Sequence, residues 1–383
     1  MIHFTEDHQD IRDMVADFSD QELAPAAEAL DEGQGFPSEN LAKLAELGML
    51  GVTVPEEFGG TGADSLTAVL LVEELARSCG STAAVVAAHI FDATHAVKTL
   101  GSPEQKARWL PGLATGETLG TFAIAEESAE SDAGALGTRA NRAESGWSLD
   151  GGKRGVVNGQ RAGFAAVVAR TGEDSGSTRG LGLFALEGGA AAAGVGVAAE
   201  SCPLGMRGAG LADWRLDGAM VAADGLLGAE DGFPSIAPVL EASRLGIAAV
   251  ALGLGRGAIT YALGYASERK AFGRSIDRFG AIRSMVAEAA TGLEGARLLV
   301  YRAATLLDQG SSVAREISMA KLAATRAAYA ASKSAVQILG GNGYSREYPV
   351  ERMFRDAECA EVLGGSDSLH RMLVARALIG ESR

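Results

Sequence analysis

The stretch QILGGNGYSREYPVERMFRD, residues 337–356, decides how the rest of the chain is read. Gly340, Gly341 and Gly343 fall within four residues, directly after a long apolar helical run. Glycines placed so end a helix and let the backbone approach a ligand closely. Taken alone the pattern also fits a simple helix cap and loop. ERMFRD carries both charges at helical spacing, as a salt-bridged helix face does.

Working outward, AECAEVLGGSDSLHRML, residues 357–373, reads as two helices joined by a Gly364-Gly365 bend, with Asp367 and Ser368 opening the second. Asp367 is expected to cap it, because Asp favours that position. Upstream lie three long helical runs, beginning with IAPVLEASRLGIAAVALGLGRGAITYALGYASERKAF. Their length and uncharged middles predict a bundle with faces left over for another subunit. YASERKAFG, residues 265–273, puts Arg269 and Lys270 at a helix end, before an aromatic and a glycine. A guanidinium there can hold a phosphate in a planar fork.

Further upstream the period changes. From about Leu119 to Leu227, short alternating runs such as FAAVVAR, LGLFALE, VGVAAE and DWRLDGAMV read as strands between Gly, Asp and Asn turns. Asp150-Gly151 carries a turn signal. TGEDSGSTRG is expected to be a surface loop. Before Leu119 the pattern is helical. Ser38 is the expected cap of a helix presenting Leu41, Leu44, Leu47 and Leu50 on one face. Pro103 suits a first helical turn. Helix, then strand, then helix predicts an α+β chain rather than alternating βα units. The expected divisions are residues 1–118 (helical), 119–228 (a β-barrel-like middle) and 229–383 (a helical bundle).

Composition excludes several classes. The 383 residues carry a formal net charge of -15, which argues against nucleic acid or anionic membrane as a partner. Aromatics make up only 5% and apolar residues 47%, so the core is built on Ala, Val, Leu and Ile. The N-terminus MIHFTEDHQDIRDM is acidic and shows no signal peptide. LGIAAVALGLG is too short to span a bilayer. Three widely spaced cysteines, Cys79, Cys202 and Cys359, read as reduced thiols in a cytoplasmic chain. The five histidines show no metal-ligand spacing.

These stretches, with EEFGGTGAD, EELARS and GSPEQKARWLPGLATGE in the same order, resemble the acyl-CoA dehydrogenase superfamily over essentially the whole chain. The resemblance implies an N-terminal helical domain, a middle β-domain and a C-terminal four-helix bundle. It also implies FAD, an acyl thioester on coenzyme A or a carrier protein, and a homotetramer or homodimer. In that family a carboxylate removes the proton α to the thioester carbonyl while the β-hydride passes to the flavin. The carbonyl is polarised by hydrogen bonds, since the carbon acid is weak.

Carried over residue by residue, the resemblance assigns FAD contacts to Arg269, Phe272, Gln337, Gly340, Gly341 and Gly343, given largely to a neighbouring subunit. It also places Ser366, Ala125 and Val157 at cofactor positions, and Ser131 and Arg244 at substrate positions. Several positions depart from the family. The loop that reads TEPGAGSD in the family is AEESAESD here, with Ala125, Glu127 and Glu130 as the changed residues. In GVVNG, Gly155 replaces a stacking aromatic and Val157 a threonine. Ala271 replaces another threonine.

The acid of the family's Y-E-G-T aligns with Gly364, and the alternative acid position, just before an arginine, holds Ser243. Asp367, Glu361 and Glu241 are the acids left nearby, and loss of a general base costs roughly a hundredfold to ten-thousandfold in rate. Three readings follow: an oxidoreductase with altered chemistry, a partner subunit supplying FAD contacts to a related dehydrogenase, and a flavin-free interaction protein. The Ala-rich AAVVAAHIF, residues 83–91, is placed near the acyl pocket.

Overall fold

The structure, a computed structural model, describes residues 4–33, 35–129, 131–172, 177–198, 203–229, 232–309 and 313–380. Its N-terminal part holds α1 (Glu6–Phe18), α2 (Ala24–Glu32), α3 (Ser38–Glu46), α4 (Ser65–Ser78), α5 (Gly80–Ala87), α6 (His95–Leu100) and α7 (Pro103–Thr115). Between α5 and α6, residues Ala88–Thr94 form a π-helical segment, fully buried. Pro103 is the first residue of α7, and Ser102 and Gln105 close a capping box there. Ser38 is not a cap. It is the first residue of α3, after Pro37, whose fixed φ sets the entry but offers no side-chain acceptor. Leu41, Leu44 and Leu50 are buried, but α3 stops at Glu46 and Leu47 turns outward.

The strands are β1 (Gly120–Ala123), β2 (Arg139–Ala143), β3 (Gly146–Val156), β4 (Phe164–Arg170), β5 (Leu181–Glu187), β6 (Val195–Val197), β7 (Ala212–Ala222) and β8 (Leu226–Leu227). They form one sheet in the order β6-β7-β3-β2-β4-β5-β8, with β1 parallel to β4. Among the described residues the end strands β6 and β8 do not pair, so the path is open rather than a closed barrel. The first six residues of FAAVVAR, 164–169, are all apolar because β4 is covered on both faces. Phe164, Ala166 and Val168 face α6 and α7, while Ala165, Val167 and Ala169 face Trp147, Phe184 and Trp214. Asp150-Gly151 makes no turn. β3 runs straight through it with a bulge opposite β7, and a Cβ on Gly151 would lie 2.6 Å from the Thr138 hydroxyl. Cys202 and Glu130 lie outside the described residues, and Cys79 and Cys359 are free thiols.

The C-terminal part contains α8 (Phe233–Glu268), a hairpin of β9 (Lys270–Ala271) and β10 (Arg274–Ser275), then α9 (Gly280–Asp308), α10 (Ala314–Leu339), α11 (Val350–Val362) and α12 (Asp367–Ile379). α8 packs on α4, α9, α10 and α11. Its 36 residues exceed what LGIAAVALGLG alone predicts, and by length and composition it could cross a bilayer, but 78% of its most apolar window is buried inside the chain. Its glycines explain the fit: a Cβ on Gly253 or Gly257 would lie 2.2 or 2.1 Å from α4 carbonyl oxygens. The two acids of EELARS, Glu73 and Glu74, are buried and tie α4 to α8 and α9 through Arg256 and Arg297.

Candidate functional site

The end of α8 builds the first part of the site. Arg269 follows its last residue, and the tight hairpin after it needs two positive φ values, at Phe272 (+51°) and Gly273 (+80°). That turn lifts Phe272 clear of the surface, where it is 97% exposed. Its only described ring neighbour is Phe279, edge-on at 6.2 Å. The glycine loop sits beside this hairpin. Asn342 Nδ2 donates to the Tyr265 and Tyr348 hydroxyls at 3.0 and 3.1 Å, and Tyr265 lies one turn before Arg269. Gly343 is buried because a Cβ there would lie 2.3 Å from the Val336 carbonyl oxygen. Gln337, Gly340 and Gly341 are exposed, with open space beside both glycines. An exposed guanidinium, an exposed ring and bare glycine backbone together suit the phosphate and adenine side of a dinucleotide.

A second group lies on the rim of the sheet. The Ala125 carbonyl accepts from the Arg154 amide at 2.8 Å, which joins the 124–132 loop to β3. Gly155 has φ +58°, and a Cβ there would meet nothing within 4 Å, so the space an aromatic would fill is open. Val157 is half-buried, its carbonyl held by the Thr121 hydroxyl at 2.5 Å. Asn158, fully buried at φ +62°, donates to the Val85 and Gly120 carbonyls and locks the rim onto α5. Ser131 is exposed. Behind the loop, Glu126 accepts from Lys153 Nζ at 2.6 Å and from the Gly137 amide at 2.7 Å. Burial opposes both charges. It pulls Lys153 down to about 8, and the Glu126 carboxyl still falls below its ordinary range because the Lys153 charge and the hydrogen bonds outweigh burial. A cleft of about 590 Å³ opens here, lined by Glu126, Thr138, Lys153, Arg154, Asp213 and Trp214.

The third group is the Gly364 bend. Arg244 Nε donates to the Gly364 carbonyl at 3.1 Å, and His370 Nε2 donates to the same oxygen at 3.2 Å. Lys321 Nζ donates to the Glu361 and Gly365 carbonyls at 2.8 and 2.7 Å. Burial and the neighbouring Arg244 and Lys321 charges push His370 down to about 3, so it is the neutral Nε2–H tautomer. Burial also lowers Lys321, to about 8. Gly364 has φ +71°, and a Cβ there would lie 3.5 Å from Arg244 Cγ and 3.8 Å from Ile247 Cγ1. Position 364 therefore faces α8 around Arg244.

Asp367 does not cap α12. Ser366 does, accepting from the Leu369 amide at 3.4 Å, because the bend delivers the chain one residue earlier. Asp367 is the first helical residue and pairs with Arg326 (2.9 Å) and Arg371 (3.1 Å). Glu361 is half-buried, its carboxyl raised by burial and by Asp367 and Glu358, and Glu241 is buried on α8.

Lys321, His370 and Asp92 are members of this region that sequence reasoning missed. Asp92, 8% exposed, lies on the π-helical segment and accepts a hydrogen bond from the Ser243 side chain on α8. The segment is pinned at two points in its first half. His89 accepts from the Gly120 amide at 3.0 Å and donates to the Leu113 carbonyl at 2.9 Å. The Phe91 ring fills the space over Gly246, where a Cβ would lie 2.8 Å from it. A lone acid in the run AAVVAAHIFDATHAV was the available signal.

Comparison with known proteins places the whole chain. It matches three family profiles: acyl-CoA dehydrogenase N-terminal domain over residues 5–117, middle domain over 121–219 and C-terminal domain over 230–379. It is 37% identical over 380 residues to an acyl-CoA dehydrogenase of Bacillus subtilis, covering 99% of this chain and 100% of the relative. Among solved structures, butyryl-CoA dehydrogenase from Megasphaera elsdenii superposes with a TM-score of 0.95 at 31% identity, over 99% of this chain and 100% of that one. The prolyl acyl carrier protein oxidase AnaB gives 0.93 at 27% identity, over 98% and 100%. A glutaryl-CoA dehydrogenase from Mycobacterium smegmatis, solved with FADH2, gives 0.91 at 26% identity, over 99% and 96%. The helical, β and helical parts all match one lineage, and this chain belongs to the acyl-CoA dehydrogenase family.

Proposed function

We propose that the chain is an FAD-dependent oxidoreductase acting on an acyl thioester, carried on coenzyme A or on a carrier protein, with proton removal that does not use the family's usual acid. The observation behind the last clause is Gly364: the bend facing Arg244 presents a hydrogen where the family resemblance calls for a carboxylate. Arg269, Phe272, Gln337, Gly340, Gly341 and Gly343 would hold the adenine and pyrophosphate side of FAD. Ala125, Val157 and Ser366 would lie against the flavin side, and Ser131 and Arg244 toward the substrate. The flavin, when bound, supplies the two-electron acceptor. Arg244, Lys321 and His370 fix the carbonyls of the bend, so the backbone beside the reacting thioester is rigid before substrate arrives.

A homodimer or homotetramer in the cytoplasm is the assembly this reading takes. Phe272 at 97% and Tyr344 at 92% exposure support it, since a second copy would cover both rings. The division at residues 118 and 228 belongs to the same reading. Glu127, exposed beside the loop and 3.6 Å from Arg154, adds negative charge near the expected thioester arm and favours a carrier protein over the CoA phosphates. The heteromer reading, in which this chain lends its hairpin to a sister dehydrogenase, draws on the open space at Gly155. The test is the visible spectrum of the purified protein, then anaerobic titration with butyryl-CoA and butyryl-loaded carrier protein. One FAD per subunit, with its absorbance perturbed by thioester, supports the enzyme. FAD bound only after co-expression with a sister chain would replace it by the heteromer.

A further inference from the structure

We infer that Asp92 takes up the substrate's α-proton in this chain, its carboxylate held in place by the Ser243 hydroxyl. This rests on the thioester-oxidising reading above. The other buried acids are committed to other duties, and Glu241 on α8 has contacts of its own. Asp31 pairs with Arg355, Glu73 and Glu74 pair with Arg256, and Glu126 pairs with Lys153. Asp356 accepts from the Met206 amide at 2.5 Å. Asp92 differs in that its hydrogen bond comes from a neutral hydroxyl, and among the described residues no cation pairs with it.

Placement supplies the second argument. Ser243 occupies the position before Arg244, and Arg244 grips the Gly364 carbonyl. Asp92 therefore stands one hydrogen bond from the first of the two positions where an acid is missing, and Arg244 links that position to the second. The π-helical segment brings it there from a third element, pinned to β1 by His89 and to α8 by Phe91. π-turns of this kind are frequent at functional sites.

Burial raises the Asp92 carboxyl to about 7, and the Ser243 bond limits the rise. A base poised near the working pH combines availability with driving force. A purely structural role needs no such group, because Asn would accept the same bond without a buried, uncompensated charge. The step balances as follows. The α C–H bond breaks, its proton goes to Asp92, its electron pair forms the α,β double bond, and the β-hydrogen leaves as hydride to the oxidised flavin.

The charged and titratable groups on Asp92's own segment and on the helices packed against it include His89 on the segment, His95 and Lys98 of α6, and Glu241 and Arg244 of α8; Lys321, Glu361 and His370 lie beyond them at the bend. His89, His95 and His370 are held neutral, at about 4, 3 and 3, so none of them titrates near 7; Lys321, lowered to about 8, and Lys98, also lowered, are told apart from Asp92 because Asp92→Asn removes a limb that is the acid's own.

The experiment compares the FAD-loaded wild type with Asp92→Asn and Ser243→Ala, using butyryl-CoA and butyryl-loaded carrier protein. It reads flavin content, the absorbance shift on binding, α-deuterium uptake from D2O, and the anaerobic bleaching rate against pH. In the wild type bleaching should rise with pH through a limb near 7. Asp92→Asn should lower bleaching and deuterium uptake about a hundredfold to ten-thousandfold with flavin content and binding shift unchanged. Ser243→Ala should move the limb to higher pH, and it decides the matter if Asp92→Asn fails to hold flavin. Bleaching of Asp92→Asn within threefold of wild type, or an unmoved limb in Ser243→Ala, overturns the inference. A wild type that binds thioester yet neither bleaches nor exchanges overturns it alone. A wild type without flavin or binding shift sinks the thioester reading as well.

Discussion

Replacing Glu126 by Gln keeps the shape of the side chain and removes its charge. The carboxylate now accepts from the Gly137 amide (2.7 Å), the Thr138 amide (3.2 Å) and Lys153 Nζ (2.6 Å). The Gln oxygen can keep one of these, but its NH2 meets an ammonium group that is 1% exposed and retains only the Ile124 carbonyl at 3.3 Å. Breaking a buried pair from one side costs about 3–5 kcal/mol. The lysine can escape by folding without its proton, which at pH 7 costs roughly 4.6 kcal/mol from an unfolded pKa of ~10.4 at 1.36 kcal/mol per pH unit. The two estimates agree.

The sign with pH follows from the same group. Wild-type Lys153 holds its proton in both states below about 8, whereas in the variant it is lost on folding. Variant stability therefore rises with pH from 6 to 8 and the deficit shrinks by roughly 2.7 kcal/mol. Above 8 both proteins shed the proton on folding and the deficit is constant. Urea unfolding followed by the fluorescence of Trp147 and Trp214, both buried in the sheet core, measures it at each pH. A deficit under about 1 kcal/mol at pH 7, or one that does not shrink toward pH 8, would refute the argument.

Three further perturbations address the site. Gly364→Glu finds room near Arg244 but must hold φ +71°, so it should cost about 1–2 kcal/mol by thermal denaturation, and in the Asp92→Asn background it should restore flavin bleaching at least ~10-fold. No recovery would mean that position 364 does not face the reacting carbon. Phe272→Ala should leave subunit stability within about 0.5 kcal/mol while lowering FAD retention and oligomer size by light scattering; unchanged values for both would end the idea that a second copy covers the ring. Asn342→Ala removes two bonds of about 0.5–1.5 kcal/mol each, one tying the glycine loop to Tyr265 of α8 and one to Tyr348 before α11, and FAD affinity measured by fluorescence titration should fall. Equal affinity would separate that loop from the cofactor.

The order of helix, strand and helix was legible because burial of one face imposes a period on the apolar residues, as it does along β7 and α10. Local exceptions were not. Asp150-Gly151 reads as a turn until the Thr138 side chain is seen packed against Gly151, a contact across strands. The cap of α12 shifted from Asp367 to Ser366 because the two glycines before it set the entry. The glycine loop and Arg269 hairpin were readable because their chemistry lies in contiguous residues. Lys321, His370 and Arg244 come from three helices and meet only at the carbonyls of the bend, so no spacing in the chain announces them. Asp92 and Ser243 are likewise joined only by the packing of the π-helical segment on α8.

That segment, Ala88–Thr94, has a consequence for inheritance. A π-turn accommodates one residue more than an α-turn, and each residue of an α-helix advances the phase by about 100°. Losing one codon there would let α5 and α6 merge into a single regular helix and rotate everything on one side against the other. The acid would swing away from Ser243 although no other amino acid had changed. Chain length at this spot, as much as residue identity, thus sets what a descendant presents to its ligand.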